Sequence, residues 1–122
     1  MAKEYVPVFI QGDEVTCTAS AAITGGQLVE LTGPYAVAPA AAASQAWFGV
    51  AGFDAAAGDD VTIYRQQVQR PIASGAVTAG DAVVAAAGGK VATSATPTVL
   101  THVGTALSTA ADGETVEVAF TR

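Results

Sequence analysis

The chain has 122 residues, of which 51% are hydrophobic, 7% aromatic and 13% charged. A formal net charge of −6 with only five basic residues, no two of them adjacent, argues against a surface that binds nucleic acid through its phosphates. No apolar run reaches the roughly 18 residues of a membrane span. Polar residues from Gln11 to Glu14 also end the first apolar stretch too early for a signal peptide. We therefore expect a soluble protein made in the cytoplasm, with no nucleic-acid or membrane partner.

The apolar content comes largely from alanine and other small residues, and these remove little surface from water on folding. A length of 122 residues suits one domain with a modest core. We expect contacts with other copies or with a larger partner to supply part of the stability. Cys17 is the only cysteine, so no intrachain disulfide can form, and we expect it to be a small buried strand residue.

Residues 1–13 differ from the rest of the chain. They hold an apolar patch of Val6, Val8, Phe9 and Ile10 beside Pro7, a residue that disfavours a central strand position. We expect an extended N-terminal arm, followed by a single β domain over residues 14–122.

Strand signals dominate that domain, taken in chain order. Alternating or β-rich segments predict strands at 14–19, 27–32, 35–38, from Trp47 onward, and at 60–64, 82–85, 90–93, 102–107 and 115–120. The alanine-rich segment 39–46 leaves one or two turns of helix open, because alanine is the best helix former. We therefore expect a mainly β protein with little helix.

The chain repeats itself. AITGGQLV at 22–29 returns as AVTAGDAV at 76–83, and GVA with AAAGDDVTI at 49–63 returns as GTA with AADGETVEV at 104–118. Two copies of one supersecondary unit, at about 20–70 and 74–121, can close into a small barrel that leaves few open sheet edges. The predicted fold is a small, internally duplicated β-barrel or β-tulip-like domain with an N-terminal arm.

The residues that could carry chemistry are poorly arranged for it. The acidic residues near Asp59 and Asp112 lack the ligand spacing of a calcium loop and suit solvated turns better. His102 has no neighbouring ligand, and no serine lies in a nucleophile motif. We expect no catalytic residues, no metal and no cofactor.

Two segments are candidates for contacts. Trp47 and Phe48 form the only adjacent aromatic pair, which fits either core packing or an interface anchor. The polar stretch 64–70 has no equivalent in the second repeat and fits either a solvated strand end or an intersubunit contact. The residues predicted at a subunit or capsid interface are Trp47, Phe48, Tyr64, Arg65, Gln67 and Arg70.

Six motifs follow one another in a fixed order: TGGQLV at 24–29, WFGVA at 47–51, AAGDDV at 56–61, GAVTAGD at 75–81, VGTAL at 103–107 and ADGETV at 111–116. In this order the chain resembles the capsid cement, or head decoration, proteins of tailed bacteriophages over about residues 12–121. The resemblance implies a non-enzymatic β-rich virion protein on the outer capsid surface. It further implies a trimer at local threefold positions that binds the major capsid protein and resists internal DNA pressure.

The arm of such proteins often extends along the major capsid protein, which makes Val6, Val8, Phe9 and Ile10 the predicted capsid contacts. An alternative from another class is a biotinyl- or lipoyl-like carrier domain, or another small β binding module. Carrier domains are also small and duplicated, but their modified lysine lies on an exposed hairpin, usually beside methionine or another lysine. Lys90, after two glycines, matches that pattern poorly.

Overall fold

The computed structural model describes residues 14–122, so the predicted arm and its apolar residues lie outside the described part of the chain. The described residues are all β, which confirms the predicted fold class. Their strands are β1 Glu14–Ala19, β2 Leu28–Gly33, β3 Ala36–Pro39, β4 Trp47–Ala51, β5 Asp60–Tyr64, β6 Val68–Gln69, β7 Ala82–Ala86, β8 Lys90–Thr93, β9 His102–Ala106 and β10 Val118–Phe120.

The first five strands form a closed barrel in the order β1-β3-β2-β4-β5. β1 runs parallel to β3 and antiparallel to β5, and the remaining pairs are antiparallel. The other five strands form a second sheet in the order β6-β10-β9-β7-β8. The barrel therefore occupies the first half of the chain, and the open sheet the second.

The alternating pattern of β1 decides which side chains enter the barrel. Val15, Cys17 and Ala19 are buried, while the residues between them are exposed, so the predicted strand at 14–19 is confirmed. The barrel core also contains Ile23, Val29, Val37, Ala51, Ala55, Val61 and Ile63. Cys17 is a buried strand residue, as its pattern predicts.

The last strand is shorter than the predicted 115–120, and Pro71 supplies the reason. Thr115 forms only an isolated bridge with Ile72, and the ladder resumes at Val118, which lies opposite Gln69. Between them the Pro71 carbonyl accepts a hydrogen bond of 2.9 Å from the Val116 amide. Proline has no amide hydrogen to return to the ladder, so the pairing is interrupted at this position.

The short helix that the sequence allows at 39–46 does not form. The Ala40 amide donates to the Leu28 carbonyl at 2.9 Å, and the Ala43 amide donates to the Ala85 carbonyl at 2.8 Å. Ala43 also has a positive φ of 53°, which no right-handed helix permits. These long-range hydrogen bonds outweigh the helix propensity of alanine, which is a weak preference.

One of the two core clusters is shared between the halves. The cluster centred on the second sheet also contains four buried side chains of the first half: Leu28, Ala40, Trp47 and Val50. No helix in the described residues is long and apolar enough to cross a membrane.

Candidate functional site

The closed barrel has an apolar pocket of about 380 Å³ at the end where β1 begins. This barrel mouth is lined by Val15, Cys17, Leu31, Gly33, Pro34, Tyr35 and Phe48. None of these side chains is charged. Leu31 is 40% exposed and Tyr35 55% exposed, so apolar surface is accessible from solvent at this site.

Arg65 packs over Phe48, one of the residues that line the mouth. Its guanidinium carbon lies 4.3 Å from the centre of the Phe48 ring, and its Nε donates to the Phe48 carbonyl at 3.0 Å. Burial, and secondly the positive charge of Arg122, lower the pKa of Arg65 below its usual value. The structure thus brings two of the predicted interface residues into direct contact, and the contact fixes the orientation of both.

Trp47 has a different position. It is 2% exposed and packs edge-on against Phe120, with ring centres 5.6 Å apart. The guanidinium carbon of Arg122 lies 4.3 Å from the centre of its ring, and the indole Nε1 has no hydrogen-bond partner in the described chain. Of the two roles that the sequence leaves open for Trp47, core packing is the one that the monomer uses. The side chain offers almost no surface to a partner in this conformation.

The remaining predicted residues lie at the end of β5 or follow it. Tyr64 packs over Gly52, where an added Cβ would lie 2.6 Å from the tyrosine Cε2. Tyr64 and Arg70 line a second, more polar cleft of about 420 Å³ between the two halves. Gln67 is exposed and has a positive φ of 63°, held by a hydrogen bond of 3.1 Å from the Phe120 amide to its carbonyl.

Among the described residues, the titratable and nucleophilic side chains do not cluster into one site. No group of three or more histidine, cysteine or acidic side chains there could hold a metal ion. Burial raises the pKa of the Cys17 thiol, which keeps it protonated and unreactive at neutral pH. Lys90 is exposed, but the turn before it packs closely on the first half, where a Cβ at Gly89 would lie 2.8 Å from the Gln27 Cβ. A carrier lysine on a projecting hairpin would not be held in this way.

Several residues of this surface escaped the sequence reasoning. Leu31 and Tyr35 belong to segments that are predicted only as strands, and their exposure depends on how the barrel closes. Arg122 also donates from Nη2 to the carbonyls of Gln45 and Trp47, at 3.1 and 3.3 Å. A terminal arginine carries no sequence signal for such a role. Val99 and Leu100, 91% and 50% exposed, were detectable as an apolar pair within a polar loop.

An all-β domain with a closed barrel and an apolar mouth presents a surface that can bind another protein. The chain matches the family described as phage cement protein over residues 10–121 and belongs to that family. It is thus a phage capsid-associated structural protein, which confirms the resemblance read from the motifs.

The fold is also similar to a solved structure, the N base of the head fiber gp8.5 of bacteriophage phi29. The two share 22% sequence identity with a TM-score of 0.71, over 88% of this chain and 92% of the other. Among curated proteins, none matches this chain.

Proposed function

We propose that this protein binds the outer surface of a phage capsid as a non-enzymatic cement protein and stabilises the shell against the pressure of packaged DNA. The family match over residues 10–121 carries the proposal. The charge supports the outer face, since a net charge of −6 is repelled by packaged DNA. The abundance of small core residues supports a trimer, because symmetric neighbours would add the burial that one copy lacks.

We propose that the arm makes the main contact with the major capsid protein. β1, which follows the arm, pairs with β5 from Glu14 to Thr18 but with β3 only at Thr18 and Ala19. Its edge from Glu14 to Cys17 therefore has no strand partner among the described residues. An extended segment continuing from such a strand can add to a sheet edge of the capsid, with Val6, Val8, Phe9 and Ile10 entering apolar pockets.

The surface beside the mouth is the second part of the proposed interface. Phe48 lies at the mouth with Arg65 packed over its ring, Tyr64 and Arg70 line the cleft between the halves, and Gln67 is exposed. Trp47 would contribute indirectly: it packs under Arg122 and supports the adjoining strand, but does not contact a partner itself.

We also propose that the two halves are copies of one unit. The bridge between Ile23 and Ala55 has a counterpart between Val77 and Ala110, at the positions that the sequence repeat aligns. The turn hydrogen bond of 2.8 Å from the Thr24 amide to Gln27 Oε1 likewise matches one of 2.9 Å in the second half, from the Thr78 amide to Asp81 Oδ2. Matched contacts of this kind support duplication because the same turn position accepts the bond in both halves, although the acceptor is a glutamine in one and an aspartate in the other.

Co-sedimentation with expanded empty capsids of its own phage tests the function. We expect the full chain to sediment with capsids at a saturable stoichiometry, and decorated full capsids to retain their DNA to higher temperature than undecorated ones. A chain that stays in the supernatant at all capsid concentrations would contradict the proposal.

A variant lacking residues 1–11 tests the arm separately. We expect it to lose capsid binding while keeping the β circular dichroism spectrum and thermal midpoint of the full chain. Phe48→Ala is the matched body variant, with weakened rather than abolished binding expected. Binding by the truncated chain that equals the full chain's would refute the arm's role and leave the body surface as the contact.

A further inference from the structure

Arg65 and Arg122 form a pair of positive charges at one end of an acidic molecule. The chain has 11 acidic residues, and only Glu4 and Asp13 among them precede residue 14. Even so, no carboxylate of the described residues lies within ion-pair distance of either guanidinium. Burial, and then the charge of Arg122, lower the pKa of Arg65, and no acidic group opposes them. Two like charges repel each other, so a partner that supplies carboxylates would stabilise this arginine pair.

Aromatic rings and carbonyl groups hold both guanidiniums in place. Arg65 stacks over Phe48 and Arg122 over Trp47, each with its guanidinium carbon 4.3 Å from the ring centre. Arg65 donates from Nε to one carbonyl at 3.0 Å, and Arg122 donates from Nη2 to carbonyls at 3.1, 3.3 and 3.4 Å. Both Nη atoms of Arg65, and Nε and Nη1 of Arg122, have no hydrogen bond to the described residues. Donors are therefore left for carboxylates, which arginine binds through two parallel hydrogen bonds.

The backbone beside the arginine pair is strained, which is a second and independent sign of a functional role. Gln66 and Gln67 are adjacent and have φ angles of 54° and 63°, in the left-handed region that favours glycine. The Gln66 amide donates to the Arg122 carbonyl at 3.3 Å, and the Phe120 amide donates to the Gln67 carbonyl at 3.1 Å. These bonds hold the turn that brings Arg65 towards Arg122. Strained backbone of this kind is concentrated at functional sites.

Two adjacent carboxylates lie at the other end of the strand that leads to Arg65. Asp59 and Asp60 are both exposed, and Asp60 begins β5. The turn before them is ordered, because the Asp59 amide donates to the Ala56 carbonyl at 3.0 Å and the Ala19 amide donates to the Asp59 carbonyl at 2.8 Å. Arg65 follows Asp59 by 65 − 59 = 6 positions, which is about 20 Å along an extended strand. The acidic pair is therefore too far away to bind the arginine pair of its own chain.

We propose that the arginine pair, Arg65 and Arg122, binds the acidic pair, Asp59 and Asp60, of a second copy of this chain. Two guanidiniums with unused donors would meet two adjacent carboxylates and form charge-assisted hydrogen bonds with them. This inference rests on the multimeric role proposed above, and it assigns the surfaces that join neighbouring subunits.

The net charge of the chain favours a second copy as the partner. Each copy carries −6, so copies repel one another unless a basic surface of one meets an acidic surface of the other. Arg65 and Arg122 are two of only five basic residues, and both lie away from the acidic start of β5. Contact between these unlike ends also fixes the orientation of the copies, because two like ends would repel.

The proposed contact joins two different surfaces, so it is heterologous. Such contacts close into a ring when the rotation between copies permits it, and otherwise extend into a filament. In a ring of three chains, each chain would supply one arginine pair and one acidic pair. Every such pair would then have a partner, which agrees with the trimer proposed above.

Sedimentation equilibrium of the full chain without capsids, at concentrations up to about 1 mM, tests the proposal. We expect the wild type to form a defined oligomer. Arg65→Gln and the double variant Asp59→Asn/Asp60→Asn should each raise its dissociation constant by about tenfold or more, because each removes charge-assisted hydrogen bonds. Glu114→Gln/Glu117→Gln is the matched control: it removes two negative charges at exposed positions outside both pairs, and should assemble like the wild type. Circular dichroism checks that each variant is folded.

Charge exchange separates a direct contact from a general effect on folding. Arg65→Glu places a negative charge against the acidic pair, and Asp59→Lys/Asp60→Lys places positive charges against the arginine pair, so neither variant should assemble alone. Their mixture restores attraction at both kinds of contact and should form mixed oligomers. A monomeric wild type at about 1 mM, wild-type assembly by Arg65→Gln, equal losses in the acidic double variant and its control, or the absence of mixed oligomers would each overturn the proposal.

Other sources of the carboxylates give different results. Loss of assembly in Glu4→Gln/Asp13→Asn, with assembly retained in Asp59→Asn/Asp60→Asn, would assign the arginine pair to the N-terminal segment and overturn the proposal. Wild-type assembly by Arg65→Gln with loss of its capsid co-sedimentation would assign the pair to the capsid and likewise overturn it. Capsid co-sedimentation of the wild type is a separate measurement, so failure of the capsid role and failure of this interface are distinguishable.

Discussion

Substituting Gly104 by alanine tests how closely β9 and β10 approach. An added Cβ there would overlap the carbonyl oxygen of Ala119 and lie 2.8 Å from Val118 Cγ1. Gly104 lies opposite Phe120 in the ladder, so the clash can be relieved only by moving the strands apart. Overpacking costs typically about 1–3 kcal/mol, and weakening a neighbouring ladder hydrogen bond about 1 kcal/mol more. We expect Gly104→Ala to lower the free energy of unfolding by about 2–4 kcal/mol.

Urea denaturation followed by circular dichroism measures this loss, and a thermal midpoint lower by roughly 10 °C or more should accompany it. Gly33→Ala is the matched control. Gly33 has no positive φ, and a Cβ there would meet only the Ala36 Cβ at an ordinary 3.7 Å. We expect its unfolding free energy to lie within about 0.5 kcal/mol of the wild type. Equal stability of the two variants would refute the close-approach argument.

Three further predictions concern the core and one turn. Trp47→Ala should lower the free energy of unfolding, measured by urea denaturation, by about 3–5 kcal/mol because it removes the buried ring that packs against Phe120. Trp47→Phe should lower it clearly less, since the indole Nε1 has no hydrogen-bond partner to lose. Equal losses for the two variants would contradict this. Cys17 should react with a thiol reagent at pH 8 far more slowly in the native than in the urea-unfolded chain, because burial raises its pKa, and equal rates would contradict its burial. Asp112→Ala should lower the thermal midpoint by an amount that corresponds to about 1 kcal/mol, because Asp112 Oδ1 accepts a hydrogen bond of 2.8 Å from the Gly75 amide. An unchanged midpoint would show that water replaces this hydrogen bond without loss of stability.

Local pattern was sufficient for most of the strands. The alternation at 14–19 and 60–64 predicted β1 and β5 with the observed bounds, because one face of each strand is buried and the other is solvated. It failed at 115–120, where the observed strand begins only at Val118. There the interruption comes from Pro71, more than forty residues earlier in the sequence. No window around the last strand contains that information.

The candidate surface was less predictable than the fold. Aromatic and basic residues near 47–48 and 64–70 were identified from composition, and the structure places Phe48 and Arg65 together at the barrel mouth. Which aromatic residue is buried was not decided by the pattern, because Trp47 and Phe48 are neighbours that a strand directs to opposite sides. Burial of Trp47 depends on Arg122 and Phe120, which reach it from the other end of the chain.

The sequence by itself determined the β class, most strand positions, the glycine turns and the phage cement family, since each depends on neighbours in the chain or on the order of short motifs. Only the tertiary structure decided that one sheet closes and the other stays open, and that loop 40–46 covers the second half. It alone exposes Val99 and Leu100 and brings the residues of the barrel mouth together around one apolar pocket. These features depend on contacts between residues far apart in the sequence, whose free energies no local pattern records.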